Sequence, residues 1–236
     1  MKSLCITDHQ DFDVPDGDLD FLFDTDDYFK KLTALREIYG DRIDLKIGVE
    51  LGLQPHLGSS LPEYIASYPF DFVIGSTHFS RGMDPYYPKF FEGVEEAEAY
   101  RLYFEEELEN LKKYDCFDVA GHIDYVVRYG PTRNENYTYQ MYEDVLEEIL
   151  KTIIEKGKGL ECNTNGLRAG LGEPNPSLAI LKRYREMGGE ILTIGSDGHT
   201  PEHMGYAFDR IGEMLKSCGF KYYATFTGRK PEFHLL

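Results

Sequence analysis

Leu192-Thr193-Ile194-Gly195-Ser196-Asp197-Gly198-His199 is a short apolar run that stops on a carboxylate and an imidazole two residues apart. Runs of this kind, rich in β-branched residues, read as buried parallel strands. Residues two apart on an extended chain face the same way, so Asp197 and His199 share a direction. The pattern recurs upstream at Cys5-Ile6-Thr7-Asp8-His9, Ile47-Gly48-Val49-Glu50, Phe72-Val73-Ile74-Gly75-Ser76-Thr77-His78 and Asp118-Val119-Ala120-Gly121-His122-Ile123-Asp124. A polar residue at the C-terminal end of a barrel strand sits at the mouth, where chemistry is done. A lone strand-end histidine is more often structural than a ligand. Five strand ends behaving alike predict a metal site built from His9, Glu50, His78, His122, Asp197 and His199.

Working outward, the spacing of apolar residues predicts helices over 28–39, 57–68, 94–114, 139–156, 176–187 and 202–217. Strands are expected over 3–9, 44–53, 71–78, 117–122, 159–163, 191–196 and 222–227, with 228–236 as a tail. Alternation of this kind argues for a parallel sheet closed or nearly closed by helices. No composition shift marks a linker, so 1–236 reads as a single α/β domain. The run Glu105-Glu106-Glu107 is expected to face water, and the loop 80–91, rich in Pro and Tyr, to wall the substrate or act as a lid. The acidic loop 10–27 faintly resembles a calcium loop through Asp11, Asp13, Asp16, Gly17 and Asp18. Pro15 stands where a third ligand belongs and the glycine comes one place late, so a solvated loop over the mouth is expected.

The 236 residues are enough for one α/β domain with a full core, and the 42% hydrophobic and 28% charged content fits a globular chain. A formal charge of −17 argues against nucleic acid, whose phosphates need a basic footprint. It leaves room for a small anionic substrate, because bound divalent cations reverse the local field. No run approaches the ~20 apolar residues of a membrane span, and no signal peptide opens the chain, which points to the cytoplasm. Cys5, Cys116, Cys162 and Cys218 form no C-x-x-C pair and read as small buried hydrophobes in a reducing compartment. The other reading is a thiol near the site, with Cys162 first in line.

Imidazoles and carboxylates without thiolates suit Zn, Mn or Fe. Glu50 has two oxygens with which to bridge two ions. Ions ~3.5–4 Å apart clamp a phosphoryl group and acidify a bound water. No G-x-S-x-G nucleophile competes with that route. Arginine binds phosphate bidentately, and Arg128 and Arg168 follow strand ends on the same face as the ligands. Arg81 and Arg133 are weaker candidates, and a surface ion pair is the plain alternative for each. His56 and His234 read as loop or surface residues. His203 either touches substrate or opens a helix.

These motifs resemble, in order, the later motifs of the PHP (polymerase and histidinol phosphatase) superfamily. The stretches 78–93, Arg128-Tyr129-Gly130-Pro131 and 163–176 look like its histidinol-phosphatase branch, and the resemblance runs over nearly the whole chain. It implies a distorted (β/α)7 TIM-like barrel holding two, and up to three, divalent ions at the strand C-termini. It implies hydrolysis of L-histidinol phosphate in histidine biosynthesis, with Asp197, His199 and Glu50 at the catalytic centre and Arg128 and Arg168 on the phosphate. The family opens with a strand ending in H-x-H, and this sequence contains no H-x-H. On that comparison the first strand and its helix are missing. Exposed sheet edges then invite a homo-oligomer. The alternatives are a metal-binding barrel with weak or no activity, and a PHP phosphoesterase for another small ester.

Overall fold

In a computed structural model, residues 2–15 and 21–236 are described. Parallel strands β1 (Ser3–Ile6), β2 (His9–Gln10), β3 (Asp44–Gly52), β4 (Phe72–Ser76), β5 (Val119–Ala120), β6 (Gly159–Asn163) and β7 (Leu192–Gly195) form one seven-stranded sheet. Its order is β1-β3-β4-β5-β6-β7, with β2 continuing β1 along the same side of β3. The sheet curls without closing: among the described residues no strand pair joins β1 to β7. This is the distorted, open form of the expected barrel.

Helices α1 (Thr25–Tyr39), α2 (Ser60–Ala66), α3 (Glu96–Lys113), α4 (Glu143–Glu155), α5 (Asn165–Arg168), α6 (Leu178–Glu186) and α7 (Ile211–Ser217) follow the strands. Helix α1 begins three residues before the expected start, because the Asp24 side chain accepts the Asp27 N–H at 3.0 Å and caps the first turn. Period two along the strands sorts the core into two sides. Val49, Leu51, Val73, Ala120, Leu160, Cys162 and Leu192 pack outward into the main helix-covered core. Phe72, Ile74 and Val119 point inward and meet a second, smaller cluster.

That inner cluster is completed by the end of the chain. Tyr222–Thr227 (β8) was expected to be another barrel strand. Instead it pairs antiparallel with Lys230–Leu235 (β9), which replaces the expected tail. Gly228 and Arg229 turn the hairpin at φ +53° and +65°. Phe226 stacks on Phe72 at 4.9 Å, and Arg229 reaches Asp118. The hairpin thus covers the inner face of the sheet at the end away from the strand C-termini. A cavity of about 980 Å³ remains inside, lined by β1, β7, the hairpin and the mouth residues His9, Glu50, Asp197 and His199.

Two further expectations are corrected, and one alternative, the thiol near the site, falls away. The helix expected over 202–217 is only α7, since Gly205 and Ala207 take left-handed φ values of +69° and +60°. Glu107 does not face water with Glu105: it is 1% exposed, on the side of α3 packed against the sheet. Cys162 lies on the outer side of β6, buried among apolar side chains and away from the mouth, so it offers no thiol to the site. All four cysteines are free. Of the faint calcium loop, Asp16, Gly17 and Asp18 lie outside the described residues, while Asp11 has another role. No helix among the described residues is long and apolar enough to cross a membrane.

Candidate metal and phosphate site

Register places the ligands. His9 pairs across from Glu50, which pairs across from Ile74, so Glu50 and Ser76 lie near one another on neighbouring inward positions. Glu50 Oε1 accepts the Ser76 hydroxyl at 2.7 Å and lies 3.0 Å from both His78 Nε2 and His122 Nε2. Its other oxygen faces His9 Nε2 at 3.8 Å. The two Glu50 oxygens therefore look in different directions, as a bridging carboxylate requires.

Asp11, two residues beyond His9, orients the histidines from behind. Its Oδ1 lies 2.7 Å from His78 Nδ1, and its Oδ2 lies 3.5 Å from His9 Nδ1. The His9 ring lies 4.8 Å from that of His78 and 5.5 Å from that of His199. Two sets of donor atoms converge to within 4.8 Å of one another, His9 with Glu50 and His78, and His9 with Asp197 and His199. His9 is common to both, so it is the pivot of the site. His122 joins through Glu50.

Asp197 takes a left-handed φ of +49°, which swings its side chain across the mouth. Its Oδ2 accepts Arg128 Nη1 at 2.7 Å and Asn165 Nδ2 at 2.9 Å, and its Oδ1 lies 3.3 Å from His199 Nδ1. The Asp197 carbonyl accepts Arg168 Nη2 at 3.1 Å. Asn175 holds Arg128 Nε at 2.7 Å and is itself held by Asp124. Arg128 Nη2 and Arg168 Nη1 are buried and have no partner. Two guanidinium groups anchored on one aspartate thus each keep N–H donors free. Arg81 and Arg133 are spent elsewhere, on the Phe90 and Ala169 carbonyls.

Electrostatics favour a cation. Burial works against the Glu50 charge, but His9 and the hydrogen bonds of His122 and His78 hold its carboxyl well below the usual range. Burial also opposes ionisation of Asp197, and the Arg128 charge overrides it. Glu161 goes the other way: burial, then the negative charges of Glu50 and Asp197, push it up to about 8. Buried His78 is lifted well above its ordinary value by Asp11 and Glu50. Without an ion the carboxylates must be balanced by protonated imidazoles. The donor set is nitrogen and oxygen only; His122 Nδ1 is buried without a partner, and His9 Nδ1 and Asp11 Oδ2 face each other at 3.5 Å without a hydrogen bond. This set fits a borderline divalent cation such as Zn or Mn.

His56 is exposed beside Asp13, and His234 lies in β9 on Thr225, both away from the ligand sets. His203 closes a single turn over 201–203. The sequence reading missed Asp11 as an orienting group, although it stands two residues from His9 and so shares its side. It also missed Ser76, Glu161, Asn165 and Asn175, whose roles appear only when strands are neighbours.

The PHP domain model matches residues 1–165. The chain belongs to the PHP family, in its histidinol-phosphatase branch. It is 31% identical to the histidinol-phosphatase of Lactococcus lactis over 98% of this chain and 85% of that protein. It is 32% identical to a probable histidinol-phosphatase of Clostridium acetobutylicum over 92% of this chain and 83% of that one. A crystal structure of Lactococcus lactis histidinol phosphate phosphatase, complexed with Zn, L-histidinol and phosphate, superposes with a TM-score of 0.86 at 29% identity. That match covers 98% of this chain and 88% of the other. A structure from Listeria monocytogenes at 20% identity, with a TM-score of 0.76, shares the fold. In this PHP-family chain the two donor sets that share His9 could hold a divalent ion.

Proposed function

We propose that this PHP protein hydrolyses L-histidinol phosphate to L-histidinol and phosphate. The observation that carries the reading is the coincidence of two chemistries at Asp197. One of its carboxylate oxygens lies beside His199 in a donor set for a divalent ion, the other accepts Arg128, and its main-chain carbonyl accepts Arg168, each arginine keeping a buried N–H free. Cations and guanidinium donors on one mouth suit a phosphoryl group. The relatives' names and the L-histidinol and phosphate of the Lactococcus lactis complex supply the substrate.

In this reading His9, Glu50, His78, His122, Asp197 and His199 hold the ions, with Glu50, Asp197 and His199 nearest the chemistry. Bound divalent ions supply the charge that acidifies a water and offsets the phosphoryl oxygens. Asp11 and Ser76 fix the ligands' orientation, as partners of metal ligands commonly do. Arg128 and Arg168 point preorganised donors at the equatorial oxygens, where charge is retained through the transition state. Because Asp197 and Asn175 already fix the guanidinium of Arg128, little ordering remains to be done on binding.

The test is phosphate release from L-histidinol phosphate by protein stripped with chelator and reloaded with Mn or Zn. Turnover that returns with metal and drops at least ~100-fold in Asp197→Ala and His199→Ala supports the assignment. Metal binding without turnover would leave a metal-holding barrel and overturn it. We further propose that the whole chain works as one unit and that the free edge of β1 pairs with a second copy. A monomer across micromolar concentrations in sedimentation would sink the second part.

A further inference from the structure

We propose that Thr77 and Asn110 are positioning residues for the ion held by Glu50 and His78: helix α3 fixes the His78 end of β4 where the sheet no longer does. The inference rests on the ligand assignment above and adds what locates one of those ligands.

The ladder of β4 stops two residues short of His78. Its last partners are Gly52 for Ser76 on one side and Ala120 for Gly75 on the other. Thr77 and His78 run on past both neighbours, and among the described residues neither belongs to a strand pair. A strand end without ladder bonds frays unless other groups take up its polar atoms.

One face of α3 supplies those groups. Tyr103, Glu107, Asn110 and the capping Tyr114 recur every three or four residues, so they form one stripe, and each is at most 1% exposed. The Tyr103 hydroxyl donates to the Thr77 carbonyl at 2.7 Å. The Asn110 amide donates to the Thr77 hydroxyl at 2.9 Å and to the Leu53 carbonyl at 3.0 Å, so it joins the ends of β4 and β3. The Tyr114 hydroxyl donates to the Gln54 carbonyl at 2.7 Å, and the Gln54 amide donates to the Phe12 carbonyl at 2.6 Å. Phe12 adjoins Asp11, whose Oδ1 holds His78 Nδ1. Neither oxygen of Glu107 is bonded, so the other three side chains make the bracket.

Two paths therefore lead from one helix to His78. Thr77 fixes its main chain, and Gln54 with Asp11 fixes its ring. Apolar side chains would pack α3 on the sheet without the cost of burying polar groups. Donors aimed at strand ends add direction, and the groups behind metal ligands act by fixing direction. The bracket reaches one donor set only. His9, Glu50 and His78 include its endpoint, whereas His9, Asp197 and His199 share no more than His9 with it.

Wild type, Thr77→Val, Thr77→Ser and Asn110→Leu are stripped with chelator, then titrated with Zn by indicator competition and with Co(II) followed by its visible absorption. His199→Ala identifies the binding step that belongs to the other ion. Thr77→Val and Asn110→Leu are expected to weaken the remaining step roughly 10- to 100-fold and to alter its Co(II) spectrum, with the other step unchanged. Thr77→Ser keeps the hydroxyl and should restore most of the affinity. Thermal melts without metal read any loss of packing separately. A lower melting temperature with both steps at wild-type strength would overturn the proposal, and so would equal weakening of both. Wild type that binds no ion would instead sink the ligand assignment, and this inference with it.

Discussion

Replacing Glu107 by glutamine should remove a pH dependence from the stability of this protein. Glu107 is 1% exposed, and neither carboxylate oxygen has a hydrogen-bond partner. Burial pushes its carboxyl from 4.5 up to about 8, against smaller opposing pulls from Thr77 and His78. The folded protein therefore keeps the Glu107 proton up to about pH 8, whereas the unfolded chain loses it near 4.5. Between those values the unfolded state binds fewer protons, so stability falls as pH rises. The contribution is complete below the lower value and gone above the higher. Its slope is about 1.4 kcal/mol per pH unit, and its full span is on the order of 5 kcal/mol. Glutamine has no proton to lose. Urea unfolding of wild type and Glu107→Gln at pH 5.5, 6.5, 7.5 and 8.5, in the same metal state, reads the difference directly. Subtraction cancels the other titrating groups, including His78. Relative to wild type, the variant should gain ~1.4 kcal/mol for each pH unit and level off above about pH 8. A gap that stays constant over that range would refute the reasoning and show that Glu107 is ionised in the folded protein.

Two further outcomes follow from the site. Saturating Mn or Zn at ~100 times Kd should raise stability by ~2.7 kcal/mol, or about 5–10 °C in Tm for a chain of this size, and chelator should reverse the shift in a thermal melt. Gly52→Ala would drive a methyl group far inside contact distance of Asp11 Oδ1, the oxygen that holds His78. It should cost ~1–3 kcal/mol by overpacking and weaken metal binding ~10- to 100-fold, read by competition with a metal indicator.

Much of this site was legible because strands have period two. Runs such as Ile47-Gly48-Val49-Glu50 announce both the strand and the residue at its mouth, and neighbouring parallel strands must then bring those residues together. What stayed hidden depends on partners distant in sequence. Asp11 was masked by a loop crowded with acids, although its spacing from His9 would have placed it. Glu107 was misread because its acidic neighbours suggested a solvated face, and only the packing of α3 against the sheet decides which of three glutamates turns inward. The break at Gly205 and Ala207 lies inside an apparently helical pattern, and backbone twist there has no periodic signature. The last strand was missed for a similar reason: Lys230–Leu235 contains a proline and lies mostly exposed, so nothing local marks it without β8 alongside.

That closing hairpin bears on the order in which the protein is made. Phe72 and Ile74 leave the ribosome long before Phe226, which covers them, and Gly228 and Arg229 bond to Asp71 and Asp118, 157 and 111 residues earlier in the chain. During synthesis the concave side of the sheet therefore stands uncovered until the hairpin of β8 and β9 has been made. Contacts so far apart in sequence slow folding, and an apolar surface awaiting its cover is open to self-association. Ribosomes stalled before residue 226 should carry nascent chains that recruit a holdase chaperone, and stalling only after the hairpin has emerged should end that dependence.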